Sequence, residues 1–382
     1  MSLPTRWSRR AFVQGVGYAS AASAVGTLLP ASAALSLHQD APGFAYVGSA
    51  AHGGKLLVFS VSGNRWTLQQ RVASRVPASL ALHPHGRFLY TVNQVDETDG
   101  LPRGSVEAYA IASDGRITLL NRQPLALSAV RPRQLAISPD GSSLVVAVHG
   151  GGAYNLLSIK KDGALEPVRS RLKETGSGLH PQLQASAHPH TAIFDPTGRF
   201  LFATDEGCDR LSAFAIHEGK LARRQQVQTA AGSGPGHAVI HDSGSLFYVA
   251  NGAANGLQGS IAGYRIDIST GRIEGLLSSV NMPSSSVANG LHLRGNILYA
   301  ASTDGVSVWQ INPQTGGLTQ TQQWSDGSPE ALATTADGRA MIALDRTRNR
   351  VMHAVVAPTS GRLLESSAVA EIDAPISIAL RA

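Results

Sequence analysis

One unit recurs along this chain and limits what it can fold into. "PASLALHPHGRFLYTVNQ", "PRQLAISPDGSSLVVAVHG", "PHTAIFDPTGRFLFATDEG", "GHAVIHDSGSLFYVANG", "NGLHLRGNILYAASTDG" and "PEALATTADGRAMIALDR" share an alternating apolar run, a polar turn closed by Gly, and a second apolar run. An earlier half unit, "GFAYVGSA", has only the second run. The marker glycines Gly43, Gly86, Gly141, Gly198, Gly244, Gly295 and Gly338 recur every 43 to 57 residues. Each unit continues through a loop into a third run such as "LSAFAI" and a fourth behind "DGRI" or "TGGL". Period-two alternation bounded by turn residues predicts strands, here four per unit.

Seven repeats of four strands predict an all-β chain, a seven-bladed β-propeller of four-stranded antiparallel blades. Radial stacking protects edges that an open sheet would expose. The tail "DAPISIAL" has the pattern of the strand that the first unit lacks, so the ring is expected to be closed by the C-terminal strand. The propeller is assigned to residues 41–382.

Residues 1–33 have a different character. Arg9-Arg10 precede Phe12, a Gly/Ala-rich apolar run and "ASA" at Ala31–Ala33, the pattern of a twin-arginine export signal. It predicts a periplasmic or secreted protein, exported folded, with no stable membrane span once the signal is removed. Cys208 is the only cysteine, so no disulfide framework exists within the chain. The formal charge of +6 falls to 29 basic against 26 acidic residues outside that signal, with no basic stripe interleaved with aromatics. No nucleic-acid partner is expected.

The hairpin geometry sorts the candidate site residues. Residues before a unit's first strand and after its second lie at one end, and the turn lies at the other. His188 and His190 in "AHPHTAIFD" therefore face a mouth where all blades converge, beside Asp205 and Glu206. His83 and His85, in the same triplet His-Pro-His, occupy the far turn and are read as structural. The same rule brings Arg131, Arg133, His237, Asn289 and Glu330 to the mouth, with Asn93, Gln94, His149, Asn251, Asp345 and Arg346.

Ester chemistry needs a base to activate water and donors for the developing oxyanion. Histidine supplies the first, and arginine or a second histidine the second. The candidate catalytic residues are His188, His190 and His237. The candidate substrate-binding residues are Arg133, His149, Asp205, Arg210 and Arg346. A His-x-His pair gives only two metal ligands, and others would have to come from Asp205 or His237, so no metal site is assigned. No Gly-x-Ser-x-Gly elbow occurs.

The stretch "GSGLHPQLQASAHPHTAIFDPTGRFLFATDEGCDRLSAF" resembles the seven-bladed lactonase family, which includes 6-phosphogluconolactonases of the cycloisomerase type and muconate lactonizing enzymes. His188 and His190 fill the two histidines of the family's Pro-His-x-His block. Asp205, Gly207, Asp209 and Arg210 fill its later Asp-Leu-Gly-x-Asp-Arg motif, with Glu206 in place of Leu. "GPGHAVIHDSG" resembles a Gly-Pro-Arg-His block in which Gly236 replaces the arginine. Gly252, Gln94, Val148-His149 and Arg133-Gln134 also depart from the family pattern. The resemblance implies a lactone hydrolase that needs no cofactor, acting on a small-molecule lactone. Export favours an unphosphorylated aldonolactone. The rewritten positions imply the alternative of a non-catalytic propeller that binds a ligand or a protein.

Overall fold

The computed structural model describes residues 43–252, 258–283 and 287–382; the export signal assigned to residues 1–33 lies outside them. Seven antiparallel four-stranded sheets succeed one another around an axis. The first strands of the blades are Pro77–Leu82, Pro132–Ile137, Pro189–Phe194, Pro235–Ile240, Gly290–Arg294, Pro329–Thr334 and Pro375–Arg381, and they line the centre, each beside the next. Pro375–Arg381 pairs antiparallel with Gly43–Ser49, so the last strand of the chain completes the sheet begun by the first. The expected ring closure is therefore observed.

The core lies between blades rather than within them. Tyr90, Val92, Val106 and Ala108 pack against Leu135, Leu144, Val146 and Leu157 of the next sheet, and the other seams repeat this arrangement. Four buried tyrosines also stitch the seams. Tyr46, Tyr90, Tyr248 and Tyr299 each donate a hydroxyl hydrogen bond to a glycine carbonyl in the following blade, those of Gly115, Gly163, Gly316 and Gly361. Each brings a large apolar ring and satisfies its one polar atom.

Six of the seven central strands open with proline, and each of the six has an irregularity directly behind it. Pro189 pairs with Asp205 but Thr191 with Thr204, leaving His190 as an extra residue. Pro77, Pro132, Pro329 and Pro375 precede the same skip, which leaves Ala78, Arg133, Glu330 and Ile376 as the extra residues. In the fifth blade Gly236 and His237 fall at that point. Proline donates nothing to the ladder, and a β-bulge re-aims a side chain, so in six of the seven blades this device presents a side chain to the axis.

Candidate active site

The pocket at the mouth of the axis has a volume of about 450 Å³ and is built largely on these bulges. Arg133, His190, His237, Asn289, Glu330 and Arg346 give its polar lining, while Val76, Ala78 and Ile376 close another side. Arg346 pairs with Glu330 at 3.5 Å. Arg133 projects from its bulge with no hydrogen bond or ion pair among the described residues.

His190 is buried, and its Nδ1 lies 2.9 Å from the Thr191 hydroxyl. Burial, with the charges of Arg133, His237 and His149 nearby, holds its pKa well below the usual imidazole value. His237 meets it edge to face, with ring centroids 6.3 Å apart. Its Nδ1 accepts the Leu291 N–H at 3.1 Å, so in the neutral ring the proton sits on Nε2. Burial, Arg133 and His292 push the His237 pKa down to about 4. The pocket thus holds two neutral imidazoles at pH 7 beside one unpaired guanidinium. Among the described residues, no group of three or more His, Cys, Asp or Glu is placed to hold a metal ion.

The structure divides the eight residues singled out in the sequence. His190, His237, Arg133 and Arg346 line the pocket. His149 and His188 do not line it; they stack with ring centroids 4.6 Å apart and planes 14° apart, near enough for His149 to act on His190 electrostatically. His149 Nε2 is 2.5 Å from Glu206 Oε1, and His188 Nδ1 donates to the His149 carbonyl at 3.1 Å. Asp205 and Arg210 do not line the pocket. Asp205 is buried, and its Oδ1 accepts the backbone N–H of His188 and of Gly207. Burial raises its pKa to about 6. Arg210 turns into the seam and shares the buried Glu174 with Arg223.

Thr191 lines the pocket and was not named in the sequence; Gln134, which also lines it, and Glu206, placed near the mouth, were named there without a catalytic or binding role. Gln134 spans two blades by accepting the Ala192 N–H. Pro-x at the head of six of the seven first strands is a legible signal for Arg133 and His190, the extra residues of their bulges, but not for these three.

The closed ring of seven blades and the histidine–arginine pocket at its axis define a propeller with an enzyme-like central site. The chain belongs to the "Lactonase, 7-bladed beta-propeller" family, whose sequence profile matches residues 44–380. It is 24% identical over 287 residues to the 6-phosphogluconolactonase of Bacillus subtilis, covering 72% of this chain and 79% of that protein. It is 26% identical over 277 residues to the 6-phosphogluconolactonase of Formosa agariphila, covering 68% and 75%. The solved periplasmic gluconolactonase of Pseudomonas aeruginosa superposes with a TM-score of 0.78 at 23% identity, covering 90% of this chain and 99% of that one. At that identity the superposition establishes the shared fold. No helix among the described residues is long and apolar enough to cross a membrane.

Proposed function

We propose that this chain hydrolyses a sugar-type lactone at the central pocket. The observation that carries the proposal is the meeting of two neutral histidines, His190 and His237, beside the unpaired Arg133. When Nδ1–H of His190 donates to the Thr191 hydroxyl, its Nε2 keeps a lone pair and takes a proton from water as the water attacks the lactone carbonyl. The Nε2–H of His237 and the Arg133 guanidinium offer donors to the oxyanion. Collapse of the tetrahedral intermediate breaks the bond to the ring oxygen, which takes back the proton held by His190. A hydroxy acid results, with no redox change.

The lactonase relatives support this reaction class, and the neighbour named as a periplasmic gluconolactonase supports an exported, sugar-directed enzyme. The arginine pair near the N-terminus supports the same location. A pH-stat assay of acid release over a panel of lactones tests the proposal. Turnover well above spontaneous hydrolysis is expected, and its absence across the panel from folded protein would overturn it.

A further inference from the structure

We propose that His149 and Glu206 form a rim subsite for the neutral, polyhydroxylated tail of the substrate, one that disfavours a phosphate there. This rests on lactone hydrolysis at the central pocket. His149 follows the strand Ser143–Val148 and Glu206 follows Phe200–Asp205, so the pair bridges two neighbouring blades at the mouth. It lies on the side of the pocket where Arg133 and His190 stand. The Arg133 charge reaches Glu206 as well as both pocket histidines.

The pair is fixed before any ligand arrives. The Glu206 N–H donates to the His188 carbonyl at 3.2 Å, and its carbonyl accepts Gln184 Nε2 at 2.8 Å. A side chain at Gly207 would meet the Ser186 carbonyl at 2.0 Å, so only glycine permits this close approach of the loop. His188 covers one face of the His149 ring. Pre-ordering of this kind lowers the entropy cost of binding.

What remains open on the pair is acceptor capacity. His149 gives its Nε2–H to Glu206 Oε1, and neither Glu206 Oε2 nor His149 Nδ1 has a hydrogen-bond partner among the described residues. The two side chains keep 26% and 31% of their surface exposed. Two adjacent acceptors suit a ligand that brings donors, and neighbouring hydroxyls are donors. Burial would raise the Glu206 pKa, but the hydrogen bond from the neutral His149 ring and the Arg133 charge are among the causes that hold it below the usual carboxylate value. The group is therefore anionic at pH 7 and repels a phosphate.

The test compares kcat/KM on a polyhydroxylated six-membered lactone, its terminal phosphate monoester and unsubstituted δ-valerolactone, for the parent and for Glu206→Gln. The parent is expected to favour the neutral sugar lactone over its phosphate by about tenfold or more. Glu206→Gln should erase most of that preference and leave δ-valerolactone within about twofold. Melting curves of both proteins confirm that they are folded. A parent that prefers the phosphate, or a variant that alters all three substrates alike or none, overturns the subsite. Should the parent hydrolyse no lactone, the hydrolase proposal fails on its own, and calorimetry with the sugar acid and its phosphate still decides the subsite. Preference for the unphosphorylated acid, lost in Glu206→Gln, upholds it, whereas equal or absent binding of both overturns it.

Discussion

His83-Pro84-His85 and His188-Pro189-His190 are the same three residues used in two registers of the same hairpin. In the first, the proline sits inside the turn. His83 is buried there, accepts the His85 N–H on Nδ1 and donates from Nε2 to the Gly141 carbonyl of the next blade at 3.2 Å. A side chain at Gly141 would come within 2.2 Å of that nitrogen, so the contact also explains the glycine. In the second, the proline opens the strand and the bulge behind it turns His190 to the axis. The first triplet spends its hydrogen-bonding capacity on holding two blades together. The second leaves an imidazole facing a cavity. What separates a histidine spent on a seam from one open to the pocket here is the position of the proline relative to the strand start.

The comparison fails at once if the triplets prove interchangeable. His190→Ala should lower kcat/KM for the preferred lactone by roughly a hundredfold or more, with the circular dichroism of the parent retained. A variant within a few-fold of the parent would remove the central base from the mechanism.

Acid sharpens the contrast further. The folded pKa of His237 is lowered to about 4 from 6.5, so the unfolded chain binds more protons between those values. Stability from this group is complete above about pH 6.5 and is lost as the pH falls toward 4. His190 adds loss in the same direction. Urea melts of the parent should therefore show falling stability through that window, and His237→Gln should flatten part of the slope. Turnover should persist below pH 6, because His190 is protonated only well below the ordinary imidazole range. A rate that halves near pH 6.5 would show that an unperturbed imidazole is the base.

The turn triplet carries smaller effects. His83→Ala removes one buried inter-blade hydrogen bond and an edge-on contact with Phe88, a loss of about 1–3 kcal/mol. The melting midpoint should fall by about 1–4 °C while turnover stays within about twofold. His85 is exposed, and His85→Ala should change stability by less than about 0.5 kcal/mol and activity not at all.

Much of this was legible from the repeats. Alternation and turn glycines gave six hairpins and a half unit, and the hairpin's two ends separated the triplets. Asp205 and Arg210 were assigned to the pocket and sit elsewhere, because strand ends alternate their side chains. Asp205 turns inward to bond the His188 and Gly207 amides, and Arg210 turns into the seam to meet Glu174. Period-two reasoning gives two faces for a strand but cannot place a bulge, which shifts the phase by one residue. Glu206 was placed at the mouth but given no role, for a related reason. Its partner His149 lies 57 residues away in the previous blade, and nothing local in sequence reports that pairing.

The closing strand fixes the order of events in making the protein. Gly43–Ser49 leaves the ribosome first among the blade strands, and its partner Pro375–Arg381 leaves last. At roughly 5–20 residues per second, the first sheet waits on the order of 15–70 seconds with one edge unpaired. Six blades can stack in that interval while the first stays a three-stranded fragment. The pairing that ends the wait closes a loop of nearly the whole chain, a slow class of contact. A chain stalled before Pro375 would carry a nearly finished central pocket in a ring that cannot shut.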